Sequence, residues 1–236
     1  MAKEQPSNVD VWLRRETPRI RKALESASRY FDSNDTLTVN TLEAVYGRES
    51  SFGTMLGERG SADPVGHFHL DPATARRYGL SVSKTNDQRF DINYASSAAA
   101  RYLKDLHTMF GQKTSLLQGV DTIAITSISE RKKFTLAAYN GGEGRIARAQ
   151  QLAEQSGKDP RSWVEVEKFL ELARATKSKA KEIRQYVDIV PAYESEFAKK
   201  SSANKNMKQK KARRENVRCT QGHWVTIDDR PIFICA

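Results

Sequence analysis

The sequence is short of long apolar runs, of cysteine and of β-forming stretches, and each shortage excludes something. No run of 18 or more apolar residues occurs in its 236 residues, so no segment is a candidate to span a membrane as a helix. The opening residues, Met1 to Pro6, lack the apolar core of a signal segment. The expectation is a cytoplasmic chain, one exported by another route, or a piece of a larger protein. The two cysteines, Cys219 and Cys235, both fall in the last 18 residues. Between them Trp224–Ile227 and Pro231–Cys235 are β-rich runs around Asp228-Asp229-Arg230, which reads as a hairpin and is the one clear β signal in the chain. A hairpin brings its open ends together, so a Cys219–Cys235 disulfide is expected. It would contribute ~3 kcal/mol in the chain-entropy model and imply an oxidising compartment. The alternative is two free thiols in a cytosolic protein.

Aromatic residues are missing where positive charge is densest. Residues 199–218 hold nine Lys/Arg and one Glu, which leaves only +2 of the chain's +10 for everything else. A basic run invites a nucleic-acid reading, but this one has no ring to stack on a base. A solvated basic linker is expected, with no specific nucleic-acid partner. With 38% apolar and 29% charged residues, the remainder suits a globular protein with a core.

The chain is organised around Thr41–Gly53. Leu42, Val45 and Tyr46 recur at helical spacing, and Glu49 follows them by seven, four and three residues. The carboxyl of Glu49 therefore lies on the face that should be buried. Asn40 with Glu43 has the spacing of a capping box, and Gly53 reads as the helix stop. A carboxyl in that position resists ionising, and its pKa should rise toward the range of a general acid. The alternative is a Glu49 that turns to solvent or pairs with Arg48 or Arg59.

The rest of the chain reads as helices. Asn8–Phe31 is broken or kinked at Pro18. A glycine-rich loop, Thr54–Gly66, leads to a helix begun by Asp71-Pro72 and ended by Gly79. Helical patterns follow over Asp91–Phe110, Ile123–Asn140, Gly144–Glu154, Trp163–Ala175 and Ser178–Lys200, with a bend at Pro191. Tyr139 and Tyr186 on their own read as core aromatics.

Four blocks stand in order: Gly47-Arg-Glu-Ser-Ser-Phe-Gly53, Gly66-His-Phe-His-Leu-Asp-Pro-Ala-Thr-Ala75, Ala137-Ala-Tyr-Asn-Gly-Gly142 and Gln185-Tyr-Val-Asp-Ile-Val190. Together they resemble the soluble lytic transglycosylase and goose-type lysozyme family, over about residues 36–198. The resemblance implies a mostly α, lysozyme-like helical domain, here with a small C-terminal β-hairpin. It also implies cleavage of the β-1,4 bond between N-acetylmuramic acid and N-acetylglucosamine, with no cofactor. The implied layout is a helical extension at 1–35, the catalytic domain at 36–198, the basic linker at 199–218 and the hairpin at 219–236. Glu49 matches the family's catalytic acid and Ser50 the serine that helps hold substrate. Tyr139 and Asn140 match the cleft-lining block, and Tyr186 the late tyrosine that approaches the acid.

The second block departs from the family, which has Gly-Leu-Met-Gln where this chain has Gly66-His67-Phe68-His69. His67 and His69 are candidate substrate contacts. Their spacing with Asp71 resembles metal ligation, but supporting ligands are wanting and no metal is expected. Asp71 and Glu58 are candidate second carboxylates that would hold a water for inverting hydrolysis. The alternatives are an N-cap for Asp71 and an exposed loop acid for Glu58. The expectation leans to hydrolysis, a muramidase or lysozyme. Non-hydrolytic transglycosylation, forming a 1,6-anhydro sugar, and a non-catalytic wall-binding module stand as alternatives. The expected partner is the peptidoglycan glycan strand. A wall-cutting domain with no signal fits a phage enzyme, a part of a secretion apparatus or the toxic end of an antibacterial effector. The lack of a signal together with a disulfide favours the effector, delivered to the periplasm, which would imply an immunity protein in its producer.

Overall fold

The computed structural model describes residues 5–117, 119–218, 222–227 and 230–235. They fall into two compact units, Met1–Ser195 and Glu196–Ala236. Among the described residues the first is mostly helical, with long loops and one tiny hairpin. Helix α1 (Asn8–Arg15) opens on a capping box made by Ser7 and Asp10. Pro18 ends that run and starts α2 (Pro18–Ala27) at its first position, where a missing N–H costs nothing.

Helix α3 (Val39–Ser50) carries Glu49. Its capping box is Thr38 with Thr41, not Asn40 with Glu43. Glu43 is instead fully buried, with Arg21 Nη1 2.7 Å from its carboxylate. The chain leaves α3 through three consecutive left-handed residues, Ser51, Phe52 and Gly53, so the turn begins two residues before the predicted glycine. Earlier in α3, Gly47 faces the indole of Trp12. A Cβ at Gly47 would lie 2.4 Å from that ring, so only glycine lets α1 seat there.

Helix α4 (Pro72–Arg77) begins as the sequence suggests, with Pro72 in its first turn and the Asp71 side chain accepting from Ala73 N and Thr74 N. The long α5 (Ile92–Gly111) buries Ala95, Ala99, Leu103, Leu106 and Phe110 and packs against α2 and α6 (Ile128–Gly141). Between α5 and α6, β1 (Ser115–Leu117) and β2 (Val120–Asp121) pair antiparallel. Strands this short leave no periodic signal, so the sequence did not predict them. Helix α7 (Glu143–Gln155) follows Gly142. The expected helix over Trp163–Ala175 is only α8 (Trp163–Val166) and a 3-10 turn at Glu167–Phe169. Helix α9 (Lys177–Arg218) runs on through Pro191.

In the second unit β3 (Gly222–Ile227) pairs antiparallel with β4 (Arg230–Cys235), Gly222 opposite Cys235 and Ile227 opposite Arg230. This is the small C-terminal hairpin expected. Cys219 lies outside the described residues, and the expected disulfide with it. Among the described residues no helix is long and apolar enough to cross a membrane.

The glycine-rich loop is held from beneath by Arg89, whose side chain is 1% exposed. Its guanidinium donates to both oxygens of buried Asp87, at 3.0 and 2.8 Å. It also donates to the carbonyls of Ser61, Asp63 and Leu70. Gly66 lies flat on this hub, where a Cβ would come 2.2 Å from the Arg89 carbonyl oxygen. The loop is therefore a fixed wall, and it delivers His67, Phe68 and His69 toward the end of α3.

Candidate active site

Glu49 opens onto a cavity of about 450 Å³ whose lining includes His69, Asp71, Tyr139, Asn140 and Glu182. Its side chain is 13% exposed. Tyr186, from α9 and 1% exposed, donates its hydroxyl to Glu49 Oε1 at 2.7 Å. On the other side His69 Nδ1 stands 3.5 Å from Glu49 Oε2. His69 Nε2 is 2.8 Å from the Met55 carbonyl, which can only accept, so Nε2 carries a proton. His69 adopts a left-handed backbone, φ +44, a conformation that costs energy in a residue other than glycine.

Burial pushes the Glu49 pKa up to about 7. The Tyr186 hydrogen bond and the charges of Arg48 and Lys179 oppose that rise, and Glu182 adds to it. The group is thus part protonated near neutrality, which is what a general acid requires.

The other predicted residues are placed as follows. Ser50 is fully buried. It donates to the His67 carbonyl at 2.7 Å and accepts from Gly53 N at 3.1 Å, tying the α3 exit to the His67–His69 segment. Tyr139 lines the cavity, donates to the Phe68 carbonyl at 3.0 Å and stacks on Tyr186 with ring centroids 6.4 Å apart. Asn140 donates to Glu182 Oε1 at 2.8 Å. Its buried Oδ1 has no protein partner. His67 is not among the residues lining the cavity; its Nδ1 is hydrogen-bonded to the Tyr46 hydroxyl at 2.9 Å. Among the described residues no cluster of His, Cys, Asp or Glu has the geometry to hold a metal ion.

The sequence reading missed Tyr102, Glu143, Lys179 and Glu182, which also line the cavity. Lys179, Glu182 and Tyr186 recur at helical spacing, a signal that was available. Glu143 had none beyond following Gly141-Gly142.

Residues 27–162 match the family described as Transglycosylase SLT domain. That is more than half of the chain, and the chain belongs to this family, part of the lysozyme-like superfamily. The protein is similar to membrane-bound lytic murein transglycosylase D of Escherichia coli (strain K12), 29% identical over 102 residues, which are 43% of this chain and 19% of that protein. It is also similar to membrane-bound lytic murein transglycosylase F of Shewanella frigidimarina (strain NCIMB 400), 32% identical over 116 residues, 45% of this chain and 22% of the relative. The corresponding F protein of Desulfosudis oleivorans (strain DSM 6200 / JCM 39069 / Hxd3) is 27% identical over 157 residues, 66% of this chain and 29% of the relative. The chain thus matches less than a third of the length of these curated relatives.

The family overturns the expectation of hydrolysis. It is one of transglycosylases, and the relatives carry the name lytic murein transglycosylase, so muramidase, lysozyme, glycosidase and hydrolase are withdrawn as descriptions. The site supplies a physical reason. Of the two acids suggested for holding a water, one lies away from the cavity and the other is engaged as a helix cap. Glu58 is exposed and outside the cavity lining. Asp71 spends Oδ1 on the N-cap of α4, accepting from Ala73 N and Thr74 N at 2.9 Å each.

Burial alone would raise the pKa of Asp71, but hydrogen bonds from Thr74 and Ala73 and the charge of Arg77 outweigh it and lower it. Glu143 and Glu182 follow the same pattern. Burial is outweighed by Arg77 and Tyr102 at Glu143, and by Asn140 and Lys179 at Glu182. A carboxylate so stabilised is a weak base toward water.

Proposed function

We propose that this chain is a lytic transglycosylase domain that cleaves the β-1,4 bond between N-acetylmuramic acid and N-acetylglucosamine in peptidoglycan, with Glu49 as its one acid and base. The observation that carries this reading is the contrast within one cavity. Glu49 is held near pKa 7, while the three other carboxyls lining it are all held low. In this reaction Glu49 gives its proton to the bridging oxygen as the C1–O bond breaks. The substrate's 2-acetamido oxygen stabilises the cationic C1. Glu49, now a carboxylate, takes the proton of the sugar's own 6-hydroxyl, and the O6–C1 bond closes a 1,6-anhydro ring. The proton count balances and no water enters.

In this scheme Tyr186 and His69 orient the two oxygens of Glu49, Tyr139 and Asn140 face the sugar, and Ser50 fixes the wall behind them. The catalytic domain is that proposed at 36–198, with α1 and α2 packed into the same compact unit. The place of work is the peptidoglycan layer. A wall-binding module without catalysis would have no use for a carboxyl poised in this way.

Two measurements bear on the reading. Digests of purified sacculi examined by mass spectrometry are expected to contain muropeptides ending in 1,6-anhydro-N-acetylmuramic acid. Products ending only in reducing sugars would refute it. Cleavage rate is also expected to fall as pH rises through about 7, because ionised Glu49 has no proton to give. Since the Tyr186 hydrogen bond favours the ionised form, Tyr186→Phe should move this descending limb to higher pH. A limb that stays put or moves down would detach the tyrosine from the acid.

A further inference from the structure

A second cavity, about 600 Å³, lies between α1, α3 and α9, with Trp12, Arg48, Met55, Gln185, Ile189 and Tyr193 in its lining. We propose that it is a further carbohydrate subsite, which holds the glycan strand beyond the sugars bound at Glu49. The inference rests on the glycan reading above.

Three observations carry it. The first is continuity. Arg48 is the chain neighbour of Glu49. The carbonyl of Met55 accepts the hydrogen bond that orients His69. One face of α9 serves both cavities. Lys179 and Glu182 line the first, and Gln185, Ile189 and Tyr193 line the second, at successive steps of three or four residues. From Lys179 to Tyr193 this track rises ~21 Å along the helix, enough for several sugar units in a row.

The second is chemistry. The groove offers flat and soft apolar surface beside polar groups, the mixture that fixes a sugar ring by its faces and its hydroxyls. Tyr193 stands edge-on to Trp12 at 4.8 Å, and its hydroxyl accepts from Asn8 Nδ2 at 3.0 Å, so its ring is held rigid. Met55 is 67% exposed at the mouth. Gln185 offers an amide, and the charges of Arg48 and Asp188 offset each other. A lining with no net charge suits a neutral N-acetylated sugar better than an ion.

The third is origin. Asn8 and Trp12 on α1 lie outside the 27–162 family match, so the α1 side of the groove is built from a segment that the family model does not cover.

The test uses the full-length Glu49→Gln variant, which should bind without cutting, titrated with peptide-free β-1,4-linked N-acetylglucosamine dimers and hexamers and followed by backbone amide NMR. The hexamer is expected to shift signals of Tyr139 and Gly142 and, together with them, those of Asn8, Gln185 and Ile189. Adding Met55→Ala and Gln185→Ala, both at exposed positions, should weaken hexamer binding roughly tenfold and leave dimer binding unchanged. Hexamer shifts confined to the Glu49 cavity, or an unchanged hexamer affinity, would overturn the subsite and leave the transglycosylase reading standing. Failure of either sugar to shift the Glu49 cavity would instead overturn the glycan reading, and the subsite with it.

Discussion

Glu49→Gln is expected to reduce glycan cleavage on the order of 10³-fold or more while the protein stays folded. The amide is nearly isosteric. It still accepts the 2.7 Å hydrogen bond from Tyr186, and it removes a carboxyl that burial disfavours in its charged form. What it loses is the proton that must reach the bridging oxygen and the base that must then take one from the 6-hydroxyl. No neighbour can take over, because Asp71, Glu143 and Glu182 are held low by their own donors. Release of soluble muropeptides from sacculi measures the effect, with circular dichroism and thermal unfolding as the fold control. A variant that keeps its rate to within tenfold would remove Glu49 from the chemistry.

Arg89→Ala should have the largest effect on stability, a loss of about 3–5 kcal/mol in chemical denaturation. The side chains of Arg89 and Asp87 are 1% and 0% exposed. Deleting the guanidinium strands a buried carboxylate and leaves the carbonyls of Ser61, Asp63 and Leu70 without their donor. Replacing both members, Arg89→Met with Asp87→Asn, should recover part of the loss, since no unpaired charge is then buried. A single-variant loss below about 1 kcal/mol would mean that water substitutes for the guanidinium and that the hub is ornamental. Because the same arginine fixes the His67–Leu70 segment, activity should fall further than the loss of folded protein alone explains.

The two predictions differ in how well the sequence foretold them. Glu49 stood out because one helix face collects Leu42, Val45, Tyr46 and a carboxyl, and helical spacing is a local property. The Asp71-Pro72 start of α4 was legible for the same reason. Arg89 was not, because its partners lie as many as 28 residues away and nothing local marks a buried arginine. The box at the start of α3 was misplaced because Thr38 with Thr41 and Asn40 with Glu43 both look serviceable, and only packing against Arg21 shows that Glu43 points inward. The hydrolytic expectation was overturned by the family match and the relatives, and the acids of the site bear on why the sequence alone leaned the other way. A sequence shows how many acids are present, but their strength as bases depends on which donors reach them. Asp71 reads in the sequence as a helix cap or a water holder, and the structure shows the cap, with Ala73 N and Thr74 N both donating to Oδ1.

The seat of Trp12 on Gly47 has a further consequence for inheritance. The family match begins at residue 27, yet the helix bearing the acid has given up a side chain to receive an indole from residue 12. The leading segment and the reaction centre are therefore bound to change together. A descendant that shed the first could not keep the second without filling the hollow left behind.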